Sequence, residues 1–194
     1  MAAATNTTTD NSLLRIVVTG DANAGKTSLM NRVCRDQWQT TYSTVGFEFN
    51  TLVHESRKIQ FWDSSGGDRF RSLVPMYYRR IDQVWIVLNG GANTATDTVY
   101  EQARYWFTHA RVYTDRPILL IVNKANEGDD DTFAKFDLTE FGVPVVSGSA
   151  KFDTQAEWLK KTAMFFPGQP STAAPASVHL HSSPESPFSC CTWA

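Results

Sequence analysis

An eight-residue stretch at positions 20–27 constrains this chain more than any other feature, and it reads Gly-Asp-Ala-Asn-Ala-Gly-Lys-Thr. It matches Gly-x-x-x-x-Gly-Lys-Ser/Thr, and it lies between an apolar run typical of a strand and a helical pattern. Gly20 and Gly25 allow backbone amides to converge on an anion at the helix N-terminus. Lys26 adds positive charge, and the Thr27 hydroxyl is a ligand that Mg²⁺ accepts. The stretch predicts a phosphate loop, against the alternative of a glycine-rich turn without a ligand.

Composition excludes several other classes of protein. The 194 residues carry a net charge of −2 and no long basic run, which argues against a nucleic-acid surface. The longest apolar stretch, residues 118–122, is far too short to cross a membrane, and residues 1–12 do not resemble a signal peptide. Cys34, Cys190 and Cys191 form no disulfide framework, which favours a reducing, cytosolic compartment.

Apolar runs and helical patterns alternate along the chain, which predicts an α/β fold. We expect a mostly parallel six-stranded sheet with helices on both faces, because parallel strands need crossovers. The predicted strands are 13–19, 47–53, 57–63, 84–88, 118–122 and 143–146, and the predicted helices are 27–35, 73–80, 96–113, 127–141 and 154–166. Residues 64–70 are predicted to be a loop. Ligands of such sheets bind at the carboxyl ends of strands, where the phosphate loop, Asp63 and Asn123 fall.

Composition also predicts the domain boundaries. Residues 1–12 are rich in Ala, Thr and Asn and are expected to be a disordered leader before a folded domain at 13–166. Residues 167–194 hold five of the eight prolines and no Lys or Arg. This segment has too little apolar surface to fold, so we expect a disordered tail.

The order of motifs resembles that of the Ras superfamily of small GTPases, and the Rab branch most closely. Residues 62–70, Trp-Asp-Ser-Ser-Gly-Gly-Asp-Arg-Phe, are similar to the family's Trp-Asp-Thr-Ala-Gly-Gln-Glu-Arg-Phe. Residues 43–49 resemble the first Rab switch, and 73–79 resemble the second switch helix. Residues 123–126, Asn-Lys-Ala-Asn, lie where Asn-Lys-x-Asp contacts guanine, and 149–151, Ser-Ala-Lys, resemble the third base-contacting motif. The resemblance implies the fold of a phosphate-loop GTPase domain.

The resemblance also implies GTP or GDP and Mg²⁺ as cofactors. Thr27, Thr44 and Asp63 would bind Mg²⁺, with Asp63 acting through water, and Lys26 and the Gly66 amide would contact the outer phosphates. The residues expected around the nucleotide are Gly20, Asp21, Ala22, Asn23, Ala24, Gly25, Lys26, Thr27, Ser28, Trp38, Thr44, Gly66, Asn123, Lys124, Asn126, Ser149, Ala150 and Lys151.

Two departures from the family pattern bear on activity and on the base. Gly67 replaces the glutamine that orients the attacking water, so intrinsic hydrolysis should be very slow. The alternative is that Gly67 is only a flexible switch residue and that a Rab activator supplies a glutamine in trans. Asn126 replaces the aspartate that accepts two hydrogen bonds from guanine, and an amide offers only one acceptor. Guanine recognition is therefore expected to be weakened but not abolished. The segment between Thr44 and Asp63 is also about four residues short, which predicts a clipped hairpin.

Two further groups of residues match Rab features. Phe49, Trp62 and Tyr77 correspond to the aromatic triad that contacts effectors, although partly buried packing residues would have the same composition. Cys190 and Cys191, followed by three residues, resemble a doubly prenylated Rab terminus, and the last four residues also fit a C-a-a-X box that ends in alanine. Two prenyl groups anchor stably without a polybasic stretch, which this tail lacks. The alternative is a disordered end with two incidental cysteines.

The function that this resemblance implies is a membrane-traffic switch, monomeric and peripheral on the cytosolic face of endomembranes. Its expected partners are effectors, an exchange factor, an activator and a prenyl-binding chaperone, with no role for nucleic acid. The competing hypothesis is a nucleotide-bound interaction module without useful hydrolysis, which would titrate Rab effectors. A phosphate-loop kinase or ATPase is disfavoured by the spacing from Lys26 to Asp63 and by the Asn123–Lys124 pair.

Overall fold

The computed structural model describes residues 13–91, 93–124 and 136–167, whose strands form one six-stranded sheet. Its strand order is β2-β3-β1-β4-β5-β6, with β2 and β3 antiparallel and every other pair parallel. The strands are β1 Leu14–Thr19, β2 Phe47–His54, β3 Arg57–Ser64, β4 Gln83–Asn89, β5 Ile118–Asn123 and β6 Val145–Gly148. The predicted α/β class and mostly parallel sheet are confirmed.

Helices cover both faces of this sheet, as predicted. The α-helices of the described ranges are α1 Lys26–Arg35, α2 Asp68–Arg71, α3 Val74–Tyr77, α4 Thr96–Tyr113 and α5 Gln155–Thr162, and 3₁₀ turns occur at Tyr78–Arg80, Thr139–Phe141 and Ala163–Phe165. Alternate β1 side chains point to opposite faces. Ile16 and Val18 join the core under α1 and α5, which includes Trp158, whereas Val17 joins the core under α3 and α4, which includes Trp106.

The β2–β3 hairpin is short, in agreement with the clipped segment expected from the sequence. A two-residue turn joins His54 to Arg57, which pair with each other across the hairpin. Its central residues, Glu55 and Ser56, have φ values of 48° and 65°. Two consecutive positive φ angles are typical of the type I′ turn, whose twist matches that of the flanking strands. The turn thereby brings the two segments before β2 and after β3 to the same end of the sheet.

The predicted boundaries differ from the observed ones in four places. The predicted loop 64–70 contains the start of α2, which follows an extended Gly67. The predicted helix 73–80 is α3 followed by a 3₁₀ turn, and the predicted helix 154–166 stays α-helical only to Thr162. The last strand begins at Val145, because Pro144 has no N–H for the ladder, although its carbonyl accepts from Leu120. Most of the predicted helix 127–141 lies outside the described residues, as do the predicted leader and nearly all of the tail.

Candidate functional site

The phosphate loop, residues 20–27, connects the carboxyl end of β1 to the first turn of α1, as predicted. Its curvature depends on backbone conformations that glycine and asparagine tolerate: Gly25 has φ 85° and Asn23 has φ 62°. A Cβ atom at Gly25 would lie 2.3 Å from Asn123 Nδ2, so the loop also requires glycine there for close packing.

The Lys26 side chain forms hydrogen bonds with the main chain of this loop. Its Nζ donates to the carbonyl oxygens of Gly20, at 3.0 Å, and Asp21, at 2.9 Å. Burial lowers the pKa of Lys26 to about 8, an effect that the nearby Asp63 and Asp21 carboxylates oppose. Because the Lys26 ammonium is buried, water cannot balance its charge. The phosphate oxygens of a polyanion would do so, which suits this loop to phosphate binding.

Three oxygen-bearing side chains from distant parts of the chain meet beside Lys26. Thr27 Oγ1 lies 2.8 Å from Thr44 Oγ1 and donates to Asp63 Oδ2 at 2.6 Å. Burial raises the pKa of Asp63 to about 6, against the hydrogen bond from Thr27 and the charge of Lys26. The second carboxylate oxygen, Asp63 Oδ1, is buried without a hydrogen-bond partner among the described residues. These are the predicted Mg²⁺ ligands.

The donor set fits Mg²⁺. Hydroxyl and carboxylate oxygens are the hard ligands that this ion prefers, and it is usually bound by few protein groups together with waters and phosphates. A divalent cation would also favour the ionised form of the buried Asp63 and give its unpartnered oxygen a positive neighbour. Within the described ranges, no cluster of three or more His, Cys, Asp and Glu side chains offers a different kind of metal site.

A cavity of about 320 Å³ lies above the phosphate loop, between residues 41–45 and residues 64–70. Its lining includes Ala22, Lys26, Thr44, Gly66 and Gly67. At Gly66 the chain passes so close to the phosphate loop that a Cβ atom would lie 2.4 Å from the Ala22 nitrogen. At Gly67 a Cβ atom would have only ordinary contacts, the nearest being Ser65 Oγ at 3.6 Å. Position 67 therefore has room for the side chain that the family places there.

A second cleft, of about 840 Å³, continues from the other side of the phosphate loop. The residues that line it and that were predicted to surround the nucleotide are Asn23, Gly25, Ser28, Trp38, Asn123, Lys124, Ser149, Ala150 and Lys151. Gln39, Thr40, Thr41, Gly91 and Phe152 complete the lining. The Lys151 ammonium lies 5.7 Å from the centre of the Trp38 ring and 4.7 Å from that of Phe152. A planar aromatic wall beside a cation suits a flat heterocycle.

Asn123 joins the two clefts. Its Nδ2 donates to the Ala24 carbonyl at 2.9 Å, and its Oδ1 accepts from the Ala150 amide at 3.1 Å. Lys124 Nζ donates to the Asn23 carbonyl, and the backbone of Lys124 itself has φ 62°. We call residues 149–151 the base loop. The hydrogen bonds of Asn123 thus connect the phosphate loop to the base loop. Asn126 lies outside the described residues, so its predicted contact with the base remains a prediction.

The predicted aromatic triad forms one contact group on the surface of β2, β3 and α3. Ring centroids are 5.7 Å apart for Phe49 and Trp62, and 5.5 Å apart for Trp62 and Tyr77, both edge to face. Phe49 is 55% exposed, and Phe47 adds a ring that stacks on Tyr77 at 3.6 Å. The three predicted side chains are therefore brought together, with Phe47 as a fourth member that the sequence did not indicate.

Sequence reasoning missed two sets of residues that support the phosphate loop and the base loop. Asp21 Oδ1 accepts from Arg71 Nη2 at 2.9 Å and from Trp106 Nε1 at 3.0 Å, which ties the phosphate loop to α2 and α4. Arg32 donates to two carbonyls of the base loop. Neither partnership has a local signal, because the partners are distant in sequence. Phe152, which lines the second cleft, could have been predicted from the sequence because it directly follows Lys151.

Comparison with known proteins places this site in a family. Residues 15–126, more than half of the chain, match the family described as "Ras of Complex, Roc, domain of DAPkinase". The chain belongs to the Ras superfamily of small GTPases. It is Rab-like in sequence, and as a member of this superfamily it is a small GTP-binding protein.

Two mouse (Mus musculus) relatives of this small GTPase define how far the likeness extends. The chain is 32% identical over 134 residues to the Ras and EF-hand domain-containing protein homolog, covering 66% of this chain and 21% of that protein. It is 30% identical over 131 residues to the Ras-related protein Rab-34, covering 65% of this chain and 49% of that protein. The matched region therefore spans about a fifth and about half of these two relatives.

Proposed function

We propose that this small GTPase is a nucleotide-dependent switch of membrane traffic that hydrolyses GTP slowly on its own. The observation that carries the proposal is that Thr27 lies within hydrogen-bond distance of both Thr44 and Asp63. Thr27 comes from the phosphate loop, Thr44 from the segment before β2, and Asp63 from the end of β3, next to the segment that follows the hairpin. A ligand that contacts all three joins the two segments to the phosphate loop, and its loss releases them.

The residues of the site have distinct roles in this proposal. Lys26 and the amides of the phosphate loop bind the outer phosphates, and the Gly66 amide is placed to detect the last of them. Thr27, Thr44 and Asp63 hold Mg²⁺, which when bound offsets the charge of the phosphate oxygens. Trp38 and Lys151 cover the base, while Asn123 keeps the two clefts in register.

Gly67 gives the proposal its sharpest test. Because glycine has no side chain to orient the attacking water, Gly67→Gln should raise the intrinsic rate of GTP hydrolysis by roughly tenfold or more. The substitution should be tolerated, since Gly67 has φ −74° and the space around its Cβ position is open. Single-turnover hydrolysis of pre-bound GTP measures the rate.

Gly67→Ala is the matched control for this experiment. It adds a Cβ atom and reduces backbone freedom in the same way, but it supplies no amide. We expect its hydrolysis rate to equal that of the wild type. A wild type as fast as Gly67→Gln would mean that another residue positions the water, and the slow-switch proposal would fail.

The base preference is a second testable part of the proposal. Asn126→Asp should tighten GTP binding by about tenfold or more, because one mismatched buried polar group costs about 1–3 kcal/mol. Xanthosine triphosphate should compete well against GTP for the wild type, since its oxygen at C2 can accept from an amide. Competition titrations with the two triphosphates on both proteins provide the measurement. Nanomolar GTP binding by the wild type, with no gain in the variant, would contradict this assignment of Asn126.

The triad of Phe49, Trp62 and Tyr77 is the proposed effector surface. It lies on β2, β3 and α3, next to the segments that a nucleotide would order. Phe49 of the triad is 55% exposed, and Val45, two residues before β2, is 81% exposed. Partly exposed aromatic side chains held against one another are good interface anchors, because little conformational entropy remains to be lost on binding.

Membrane attachment through prenylated Cys190 and Cys191 completes the proposed switch, with these residues lying outside the described ranges. No helix among residues 13–91, 93–124 and 136–167 has the length and apolar character needed to cross a bilayer. Two prenyl chains would hold the domain at a membrane surface, where nucleotide exchange would control access of effectors.

A second candidate function is favoured by the same Gly67. A chain that binds GTP but lacks the water-orienting side chain could act as an interaction module that is never reset and that titrates Rab effectors. An activator that supplies the missing group distinguishes the two functions. Only the switch requires that such an activator accelerate GTP hydrolysis.

A further inference from the structure

Arg32 connects the helix of the phosphate loop to the base loop. From α1 its Nε donates to the Ala150 carbonyl at 3.0 Å and its Nη2 donates to the Lys151 carbonyl at 3.2 Å. Its Nη1 donates to Asp36 Oδ1 at 3.0 Å, and that carboxylate oxygen also accepts from the Gln155 amide at 2.8 Å. The Arg32 side chain is 13% exposed and its bond to Ala150 is partly buried, whereas its bonds to Lys151 and Asp36 lie at the surface.

The base loop is held on both its amide side and its carbonyl side, and Arg32 binds two of its carbonyls. On the amide side, Ala150 N–H donates to Asn123 and Ser149 N–H donates to Asp153 Oδ2 at 3.1 Å. On the carbonyl side, Arg32 binds the Ala150 and Lys151 carbonyls, and the Ser149 carbonyl accepts from the Phe152 and Asp153 amides. A planar guanidinium with fixed donor directions holds two successive carbonyls in one orientation, which a flexible amine cannot do.

The held segment also carries the cation of the base cleft. Lys151 places its ammonium over the rings of Trp38 and Phe152, and its carbonyl is one of the two that Arg32 binds. Movement of that carbonyl would shift the Lys151 side chain relative to Trp38. The base cleft therefore keeps its shape only while the base loop stays fixed on α1, the helix that begins at Lys26.

We infer that Arg32 is a positioning residue that sets how long a guanine nucleotide stays bound. It does so without touching the nucleotide, by fixing the base loop to the helix that carries the phosphate site. The inference rests on the proposed function of the site. It also predicts that the effect of Arg32 is confined to the base end, because the three proposed Mg²⁺ ligands lie at the other end of α1 and on other elements.

The test is the dissociation rate of fluorescently labelled GDP from the full-length protein. Arg32→Met keeps the length of the side chain but removes its donors, and it should release GDP about tenfold faster. Arg32→Lys retains one donor and the charge, and its rate should fall between those of Arg32→Met and the wild type. The fold-change should be the same in Mg²⁺ and in EDTA, because independent sites contribute additively.

Arg111→Met is the matched control, because Arg111 also donates to two main-chain carbonyls, those of Thr114 and Arg116, far along α4. Thermal unfolding midpoints of both Met variants show whether each loses a comparable amount of stability. The expected result is that only the Arg32 variants change the GDP dissociation rate.

Three results would overturn the inference. The first is a wild-type dissociation rate in Arg32→Met, or in Arg32→Lys should the Met variant not fold. The second is a rate increase that disappears in EDTA, which would place the effect at the metal end. The third is an equal increase in Arg111→Met, which would make it a general loss of stability. A wild type that binds no GDP would instead overturn the proposed function, and the inference with it.

Discussion

Lys26→Ala abolishes measurable nucleotide binding in our account. The Lys26 ammonium is the buried cation of the phosphate loop, and bound phosphates would take over its hydrogen bonds to Gly20 and Asp21. A charge-assisted hydrogen bond contributes about 1.5–3 kcal/mol, so the loss of two or more weakens binding by about a thousandfold or more. Titration of the variant with fluorescent GDP provides the measurement.

The control for this prediction separates charge from fold. Lys160→Ala removes an exposed lysine of α5 and changes the net charge equally, and it should bind GDP as the wild type does. Circular dichroism of Lys26→Ala should match that of the wild type. The variant loses two hydrogen bonds, but it also loses a charge whose burial is unfavourable, so the two effects on folding stability offset each other. Wild-type affinity in Lys26→Ala would remove the phosphate-loop assignment altogether.

A Rab activator domain accelerates GTP hydrolysis by about a thousandfold, which is the second large effect that we expect. Groups supplied in trans stabilise the transition-state charge and are worth about 10³–10⁵ in rate. Activators of the Rab class also bring a glutamine, which would occupy the open space at Gly67. Single-turnover hydrolysis of pre-bound GTP, with and without a panel of such domains, provides the measurement.

The outcome of that experiment decides between the two candidate functions. An activator domain whose arginine is replaced by alanine serves as the control and should lose most of the acceleration. Hydrolysis that no activator domain raises above the intrinsic rate would favour the non-hydrolysing interaction module over the switch.

Strand positions were predictable because each strand has a local sequence pattern of its own. Residues 84–88 and 118–122 are continuous apolar runs, which is how strands buried on both faces of a parallel sheet appear in a sequence. The carboxyl-end rule then placed the phosphate loop, Asp63 and Asn123 at one edge of the sheet without any coordinates. The hydrogen bonds of the phosphate loop with Asn123 and with Asp63 show that these parts meet.

Contacts made by tertiary packing were not predictable in the same way. Arg32 looks like an ordinary helix residue in the sequence, and only the return of the chain through β6 brings Ala150 to it. Asp21 finds Arg71 and Trp106 for the same reason. The start of α2 was missed because Gly66 and Gly67 indicate a loop, whereas Gly67 in fact precedes the first turn of the helix.

The identity of the nucleotide that copurifies with the protein tests the central claim most directly. The wild-type chain would be purified without added nucleotide, denatured, and the released small molecules separated and quantified against guanine and adenine standards. Our account predicts GDP or GTP at close to one molecule per protein, and much less from Lys26→Ala prepared in parallel. An adenine nucleotide, or no nucleotide from a folded wild type that also fails to bind added GDP, would contradict it.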